Sequence, residues 1–223
     1  MGLSLPSDPH DFHNCLPGST IWVLGSGATL DHIPVEFFHD KLVIAVNNVG
    51  WRLNLPAYFT VTHYHRDAVN NANARPDLPV ITPVADLGAG GPEAYNGPMP
   101  QPNIYYFPTN PQRFGAFDAA TDWPTQDHHL VAGPTSLHMT MHFAAYLGAA
   151  HIVLVGADCG VIDGAQNFTG YVRGDNPMEV WQRTLAGVAA QLRERGTSVH
   201  SLNPWVGLWL EGHTYRSALA DIN

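Results

Sequence analysis

Ile21-Trp22-Val23-Leu24-Gly25-Ser26-Gly27-Ala28-Thr29-Leu30 is the stretch from which the rest of the chain is best read. Four consecutive apolar residues suit a central strand covered on both faces. The two glycines that follow lack the β-carbon that keeps a backbone from closing on a ligand. Backbone N–H groups here, with the Ser26 and Thr29 hydroxyls, could hold a phosphate, and an ordinary strand-to-helix turn is the competing reading. Leu30 stands where the third glycine of G-x-G-x-x-G would fall, which disfavours a conventional NAD site.

Outward from this strand, residues 42–46 form a second apolar run that ends at Asn47-Asn48. Residues 58–62 form a third, running into His63-Tyr64-His65-Arg66-Asp67. Residues 78–82 and 103–107 read as short strands, 152–156 as a buried central strand that delivers Asp158, and 197–202 as the closing strand. Helices are expected after Asp31, with Pro34 in the first turn, from Gly133-Pro134-Thr135-Ser136 to about Leu147, and from Pro177 to about Arg195. The helix after Ser136 should lay one face on the sheet, since Leu137, Met141, Ala144 and Ala145 recur near a 3.6-residue period. Strands alternating with helices in this way predict an α/β fold: a single doubly wound, mostly parallel, Rossmann-like sheet with helices on both faces. One domain spans 1–223, with an irregular lead-in over 1–19 and a Pro/Gly-rich insertion or lid over 86–126. Ligands of such sheets lie beyond the carboxyl ends of the strands, where each polar cluster above falls.

Composition removes several function classes. The 223 residues carry a net charge of −9, from 10 Lys+Arg against 19 Asp+Glu, with no basic stripe, so duplex nucleic acid is an unsuitable partner. Charged residues make up only 13%, while 18 prolines and 21 glycines imply long ordered loops of the kind that carry sites. Cys15 and Cys159 form no C-x-x-C pair, so neither a metal knuckle nor a disulfide scaffold is indicated, and a reducing cytoplasm fits. No signal pattern precedes Pro17, and no apolar run approaches the roughly 18 residues of a membrane span. A cytoplasmic protein is expected, with a homo-oligomer left open.

The candidate nucleotide-binding residues are Gly25, Ser26, Gly27, Thr29, Asn47, Asn48, Thr135, Ser136 and Asp158. Thr135 and Ser136 open a helix, where free N–H groups, the helix dipole and two hydroxyls favour a phosphate, and a plain Ser/Thr cap is the alternative. Asn47 and Asn48 offer both donor and acceptor at a strand end, or serve as turn residues. Asp158 could hold a ribose hydroxyl or magnesium, or simply order its loop. His63, His65 and Asp67 are the candidate catalytic residues: alternate spacing in an extended segment would point them to one side, as acid and base or as metal ligands. His138 and His142 have H-x-x-x-H spacing without the zinc-protease Glu, and Trp205 and Trp209 could form an aromatic wall for a base.

Taken in order, Val23-Leu24-Gly25-Ser26-Gly27-Ala28-Thr29-Leu30, Val46-Asn47-Asn48, and Thr135-Ser136 followed by Leu147-Gly148 and Ile152-Val153-Leu154-Val155-Gly156-Ala157-Asp158 resemble two groups. One is the bacterial sialyltransferases that use CMP-sialic acid, with their G-x-G-x-S-L turn, strand-end Asn and T-S-G…L-G…I-x-L-x-G-x-D block. The other is the 6-hydroxymethylpterin diphosphokinase-like family, together with phage proteins of the same pattern. The first likeness implies that Gly25, Ser26, Gly27, Asn47, Thr135, Ser136 and Asp158 surround a cytidine nucleotide. That group takes its general base from a histidine downstream of the G-x-D block, whereas no histidine occurs here between His151 and His200, an interval holding Asn167, Tyr171 and Asp175. The pterin kinases carry Pro-Asp and a further Asp after the third strand, where this chain has Pro56-Ala57, His63 and Asp67. The resemblance implies a glycosyltransferase-like transferase that takes a nucleotide or nucleotide-sugar donor and an unidentified acceptor. The alternatives are a magnesium-dependent diphosphokinase acting on a pterin-like alcohol and a non-catalytic nucleotide-binding or phage accessory protein.

Overall fold

The computed structural model describes residues 9–83, 102–109, 129–131, 133–162, 164–171 and 178–202. Seven parallel strands form one sheet: β1 (Thr20–Leu24), β2 (Leu42–Val46), β3 (Phe59–Val61), β4 (Val80–Pro83), β5 (Ile104–Phe107), β6 (His151–Val155) and β7 (Ser198–Ser201). Their spatial order is β5-β4-β3-β2-β1-β6-β7. The chain winds from β1 outward to β5, then returns across β1 to lay β6 and β7 on its other side. The reversal falls between β1 and β6, which run in register from Thr20 opposite His151 to Leu24 opposite Val155. In an open parallel sheet this switch point leaves a crevice at the strands' carboxyl ends.

Alternation along the strands builds two cores. Ile21, Val23, Ile44, Val46, Phe59 and Val61 face one side and Trp22, Leu24, Val43 and Ala45 the other, as the two-residue period of a strand requires. The first face is covered by α3 (Ser136–Tyr146) and α4 (Met178–Glu194). The second is covered by short 3-10 turns over Ala28–His32 and Val35–Phe38, by α1 (Val49–Arg52) and by Phe168. A smaller cluster joins α2 (His65–Ala74) to Val80 and Ile104. Each fully buried aliphatic side chain in these layers contributes roughly 1.5–3 kcal/mol, so both faces are needed to hold the strand ends in place.

Four expectations change. The helix expected after Asp31 is a pair of 3-10 turns, with Pro34 extended between them (φ −64°, ψ 143°). The segment 63–67 is not extended: β3 ends at Val61 and α2 starts at His65, so the alternate-spacing argument for His63, His65 and Asp67 does not apply. Within the 86–126 stretch expected as an insertion, residues 104–107 are the edge strand β5, while 84–101 and 110–128 lie outside the described residues. α3 does more than lay one face on the sheet: it packs on β1, β2, β3 and β6 and against α4, and every residue except Ala145 is buried.

Candidate functional site

A pocket opens at the β1/β6 switch point and occupies roughly 530 Å³, the open space at its mouth included. Gly25, Ser26 and Gly27 come to it from the end of β1, Val46 and Asn47 from the end of β2, and Gly156, Ala157, Asp158 and Cys159 from the end of β6. Thr135, Ser136 and Leu137 contribute the start of α3, Gln166 and Asn167 a loop, and Trp181 and Leu185 the wall formed by α4. Seven of the nine residues expected to bind nucleotide therefore line one cavity. Thr29 and Asn48 do not line it, and neither do His63, His65 and Asp67.

The glycines of the first loop are explained by backbone proximity. A β-carbon at position 25 would lie 2.5 Å from the Gly156 carbonyl oxygen, and one at position 27 would collide with the Asp158 carboxylate. Gly27 donates its N–H to the Gly156 carbonyl at 2.7 Å, so the β1 and β6 ends are joined backbone to backbone. Asp158 fastens this junction from behind. One carboxylate oxygen accepts the Thr29 N–H at 2.8 Å and the other accepts the Thr29 hydroxyl at 2.5 Å. Burial raises its pKa, an effect that these two bonds oppose. Asp158 and Thr29 are thus spent on each other, which leaves Asp158 poorly suited to hold magnesium. Among the described residues no group of three or more His, Cys, Asp or Glu side chains could hold a metal ion.

Asn47 is held in one orientation by its neighbours. It ends β2 with φ +56°, a left-handed conformation uncommon outside glycine, and Cys159, across the pocket, has φ +46°. The Asn47 carbonyl oxygen accepts the Ser136 hydroxyl at 2.8 Å and the Thr62 hydroxyl at 3.2 Å. That arrangement leaves the carboxamide N–H₂ as the donor end of the side chain. Ser26 similarly donates to the Asn167 carboxamide oxygen at 3.3 Å.

At α3 the alternative reading, a Ser/Thr cap, is not made. Thr135 has the extended backbone of an N-cap residue (φ −137°, ψ 157°), but its side chain forms no capping bond. The hydroxyl lies 2.9 Å from His138 Nδ1, and His138 Nε2 lies 2.8 Å from the Thr184 hydroxyl oxygen. The Thr184 hydroxyl donates to the backbone carbonyls of Val180 and Trp181, at 2.9 and 3.2 Å, so its oxygen accepts from His138 Nε2–H. The His138 Nδ1 then accepts the Thr135 proton. The hydroxyl protons of Thr135 and Ser136 are both directed at protein partners and are not offered to a phosphate; the Ser136 and Leu137 amides donate to nothing among the described residues.

His138 is wholly buried, and desolvation lowers its pKa to about 3; a hydrogen bond with the Thr135 backbone opposes this, and His63 adds a smaller push downward. His142 has a pKa likewise lowered to about 3 by burial, and its Nδ1 accepts the Val131 N–H at 2.8 Å. Both rings are buried, so the H-x-x-x-H pair is part of the core. Of the expected catalytic residues, His63 follows the end of β3 and is close enough to His138 to influence it; burial lowers its own pKa. His65 is buried on α2, where its ring stacks on Tyr106 and its Nδ1 lies 3.0 Å from the Tyr106 hydroxyl. Asp67 sits two residues further along α2. The expected wall at Trp205 and Trp209 lies outside the described residues. Trp181 and Gln166 of the pocket gave no sequence signal, since their spacing from the glycine loop is unremarkable until the fold brings them together.

No family model and no curated protein matches the chain. Among solved structures it is similar to the MAf glycosyltransferase from Magnetospirillum magneticum AMB-1, at 14% identity and a TM-score of 0.51, over 99% of this chain and 42% of that one. The two share a fold. The likeness to glycosyltransferases holds at that level, and this chain spans less than half the length of the MAf protein. A second structure is the sialyltransferase CstII from Campylobacter jejuni in complex with a substrate analogue, cytidine-5′-monophosphate, with 12% identity, a TM-score of 0.48 and coverage of 89% of this chain and 87% of that one. That similarity is too low to build on. Nothing in the comparisons supports the likeness to diphosphokinases or to phage proteins. No helix among the described residues is long and apolar enough to cross a membrane.

Proposed function

We propose that the protein is a glycosyltransferase-like transferase whose nucleotide-activated donor occupies the pocket between the ends of β1, β2 and β6. The observation that supports this reading is the oriented Asn47 carboxamide: Ser136 and Thr62 hold its oxygen and leave its N–H₂ as a donor, in a pocket also lined by Ser136 and Leu137, whose amides donate to nothing among the described residues. A phosphate needs such donors, and the described lining contains no Lys, Arg or His to substitute for them. Gly25, Ser26 and Gly27 form the opposite wall, with Thr29 and Asp158 holding it in shape.

His63 is the residue best suited to act as base, because burial keeps its imidazole unprotonated near neutral pH. In the step envisaged, His63 takes the proton of an acceptor hydroxyl. The acceptor oxygen bonds to the anomeric carbon of the donor as the bond from that carbon to the phosphate oxygen breaks, and the charge left on the phosphate is met by the α3 amides and Asn47. His65 and Asp67 have no role in this step.

Titration with CMP, CDP, UDP and ATP, each with and without magnesium, tests the reading by calorimetry. Saturable binding of at least one nucleotide is expected, and absence of binding at millimolar concentration would contradict it. His63→Ala should abolish transfer while leaving nucleotide affinity within about three-fold, since a base contributes roughly 10²–10⁴ to rate and little to donor binding. Loss of binding in that variant would remove His63 from the role.

A further inference from the structure

The pocket has two walls from different elements, the start of α3 and the inner side of α4, and one buried side chain spans them. His138 faces the hydroxyl of Thr135, a pocket residue, through Nδ1 at 2.9 Å, and the hydroxyl of Thr184 through Nε2 at 2.8 Å. Thr184 lies in α4 between Trp181 and Leu185, both pocket residues, and its hydroxyl is tied to the Trp181 carbonyl. Gly133 leaves the space this ring occupies, since a β-carbon there would fall on the imidazole. We propose that His138 is a positioning residue of the donor pocket: its imidazole ties the α3 wall to the α4 wall and fixes the Thr135 hydroxyl with its proton turned inward.

The chemistry follows from the direction of the bonds. Thr184 spends its proton on backbone carbonyls, so it only accepts from His138 Nε2–H, and Nδ1 is left to accept from Thr135. One tautomer therefore orders the whole chain, and the Thr135 oxygen can present only lone pairs to a ligand. The other tautomer would reverse the chain: the Thr135 oxygen would accept from Nδ1–H, which frees its proton for the pocket, and Thr184 would have to turn its proton from the backbone carbonyls to Nε2. A protonated ring would donate to the oxygens of both Thr135 and Thr184 and so free the Thr135 proton; among the described residues no carboxylate hydrogen-bonds the ring to support that charge, and His63 is a titratable neighbour that opposes it. This inference rests on the pocket being the donor site, while the tie can be tested without any ligand.

Three variants, His138→Leu, Thr184→Val and His138→Gln, are compared with wild type by ¹⁵N NMR, hydrogen exchange and nucleotide titration. In wild type the imidazole should stay neutral as the Nε2–H tautomer across roughly pH 5 to 8, the range in which an ordinary histidine titrates. The amides of residues 180–185 should exchange at least about five-fold faster in His138→Leu and in Thr184→Val, because local opening costs less once the tie is cut. Nucleotide affinity should fall about five- to twenty-fold in both, the range of one or two lost hydrogen bonds, while His138→Gln, which retains a donor and an acceptor, stays within about three-fold. An Nδ1–H or titrating imidazole overturns the proposal, as does unchanged exchange in Thr184→Val, a variant that remains informative if His138→Leu fails to fold. Wild-type protein that binds no nucleotide but shows the expected tautomer and exchange sinks the donor-site reading and keeps the tie. Normal binding with unchanged exchange does the reverse.

Discussion

Asp158 shows how a residue can sit in a candidate site and still serve the structure first. Its two oxygens satisfy the Thr29 N–H and hydroxyl, and Gly27 is a glycine because the carboxylate occupies the space of a side chain. Asp158→Ala would leave the Thr29 N–H and hydroxyl buried without acceptors, and a loss of about 2–3 kcal/mol in urea denaturation is expected. Since burial raises the folded carboxyl above its unfolded value, its contribution is fully present in acid and declines as the pH rises through the raised pKa. The difference between wild type and Asp158→Ala should therefore narrow on going from acid to neutral pH. A variant of unchanged stability that no longer binds nucleotide would instead make Asp158 a ligand contact. The sequence marked Gly25, Gly27 and Asp158 as special, because glycines and a carboxylate at the ends of apolar runs have few ordinary uses. Their pairing across the β1/β6 junction was not legible: it depends on which strand lies beside β1, and chain order does not encode that.

Among the elements, β1 and β2 coincide with their apolar runs, and the other strands fall within two residues of theirs, since β-branched and apolar runs flanked by polar residues admit few other readings. α2 was hidden. Its sequence, His65 to Ala74, holds three asparagines and only a short apolar side made by Ala68, Val69 and Ala72, so packing against Val80 and Ile104, not helix propensity, determines it. α3 was placed correctly, but its two histidines read only as an H-x-x-x-H pair without the zinc-protease Glu, and their burial gave no signal. Both are buried, with pKa values lowered to about 3, against about 6.5 for an unfolded imidazole. A base whose folded pKa is depressed contributes stability that is complete above the unfolded value and lost as the pH falls below it. Between about pH 6 and 4 the unfolded chain binds two more protons through this helix, a slope of about 2.7 kcal/mol per pH unit. Urea denaturation of His142→Gln, which can still accept the Val131 N–H, should show about half that slope. An unchanged slope would mean that His142 is not buried in neutral form.

At the scale of the whole molecule, the fold creates the pocket. Seven parallel strands ordered β5-β4-β3-β2-β1-β6-β7 have one reversal, and the loops from β1, β2 and β6, the starts of α3 and α4 and the 166–167 loop meet there. The doubly wound Rossmann-like sheet was legible from apolar runs alternating with helical segments, whereas the chemistry was not, because the residues that line the pocket are scattered over loops and helix starts. With no basic side chain in the described lining, the proposed function requires amide donors for the phosphate, and Asn47 is the side chain to which it assigns that task. Its most direct test is a calorimetric titration of the tightest-binding nucleotide into wild type and Asn47→Asp at matched stability. The substitution keeps shape and the acceptor oxygen for Ser136 and Thr62, but replaces the donor N–H₂ by a negatively charged oxygen. Affinity should fall at least about ten-fold, equivalent to about 1.4 kcal/mol. Equal affinity in the two proteins would contradict the claim that this pocket holds the donor phosphate.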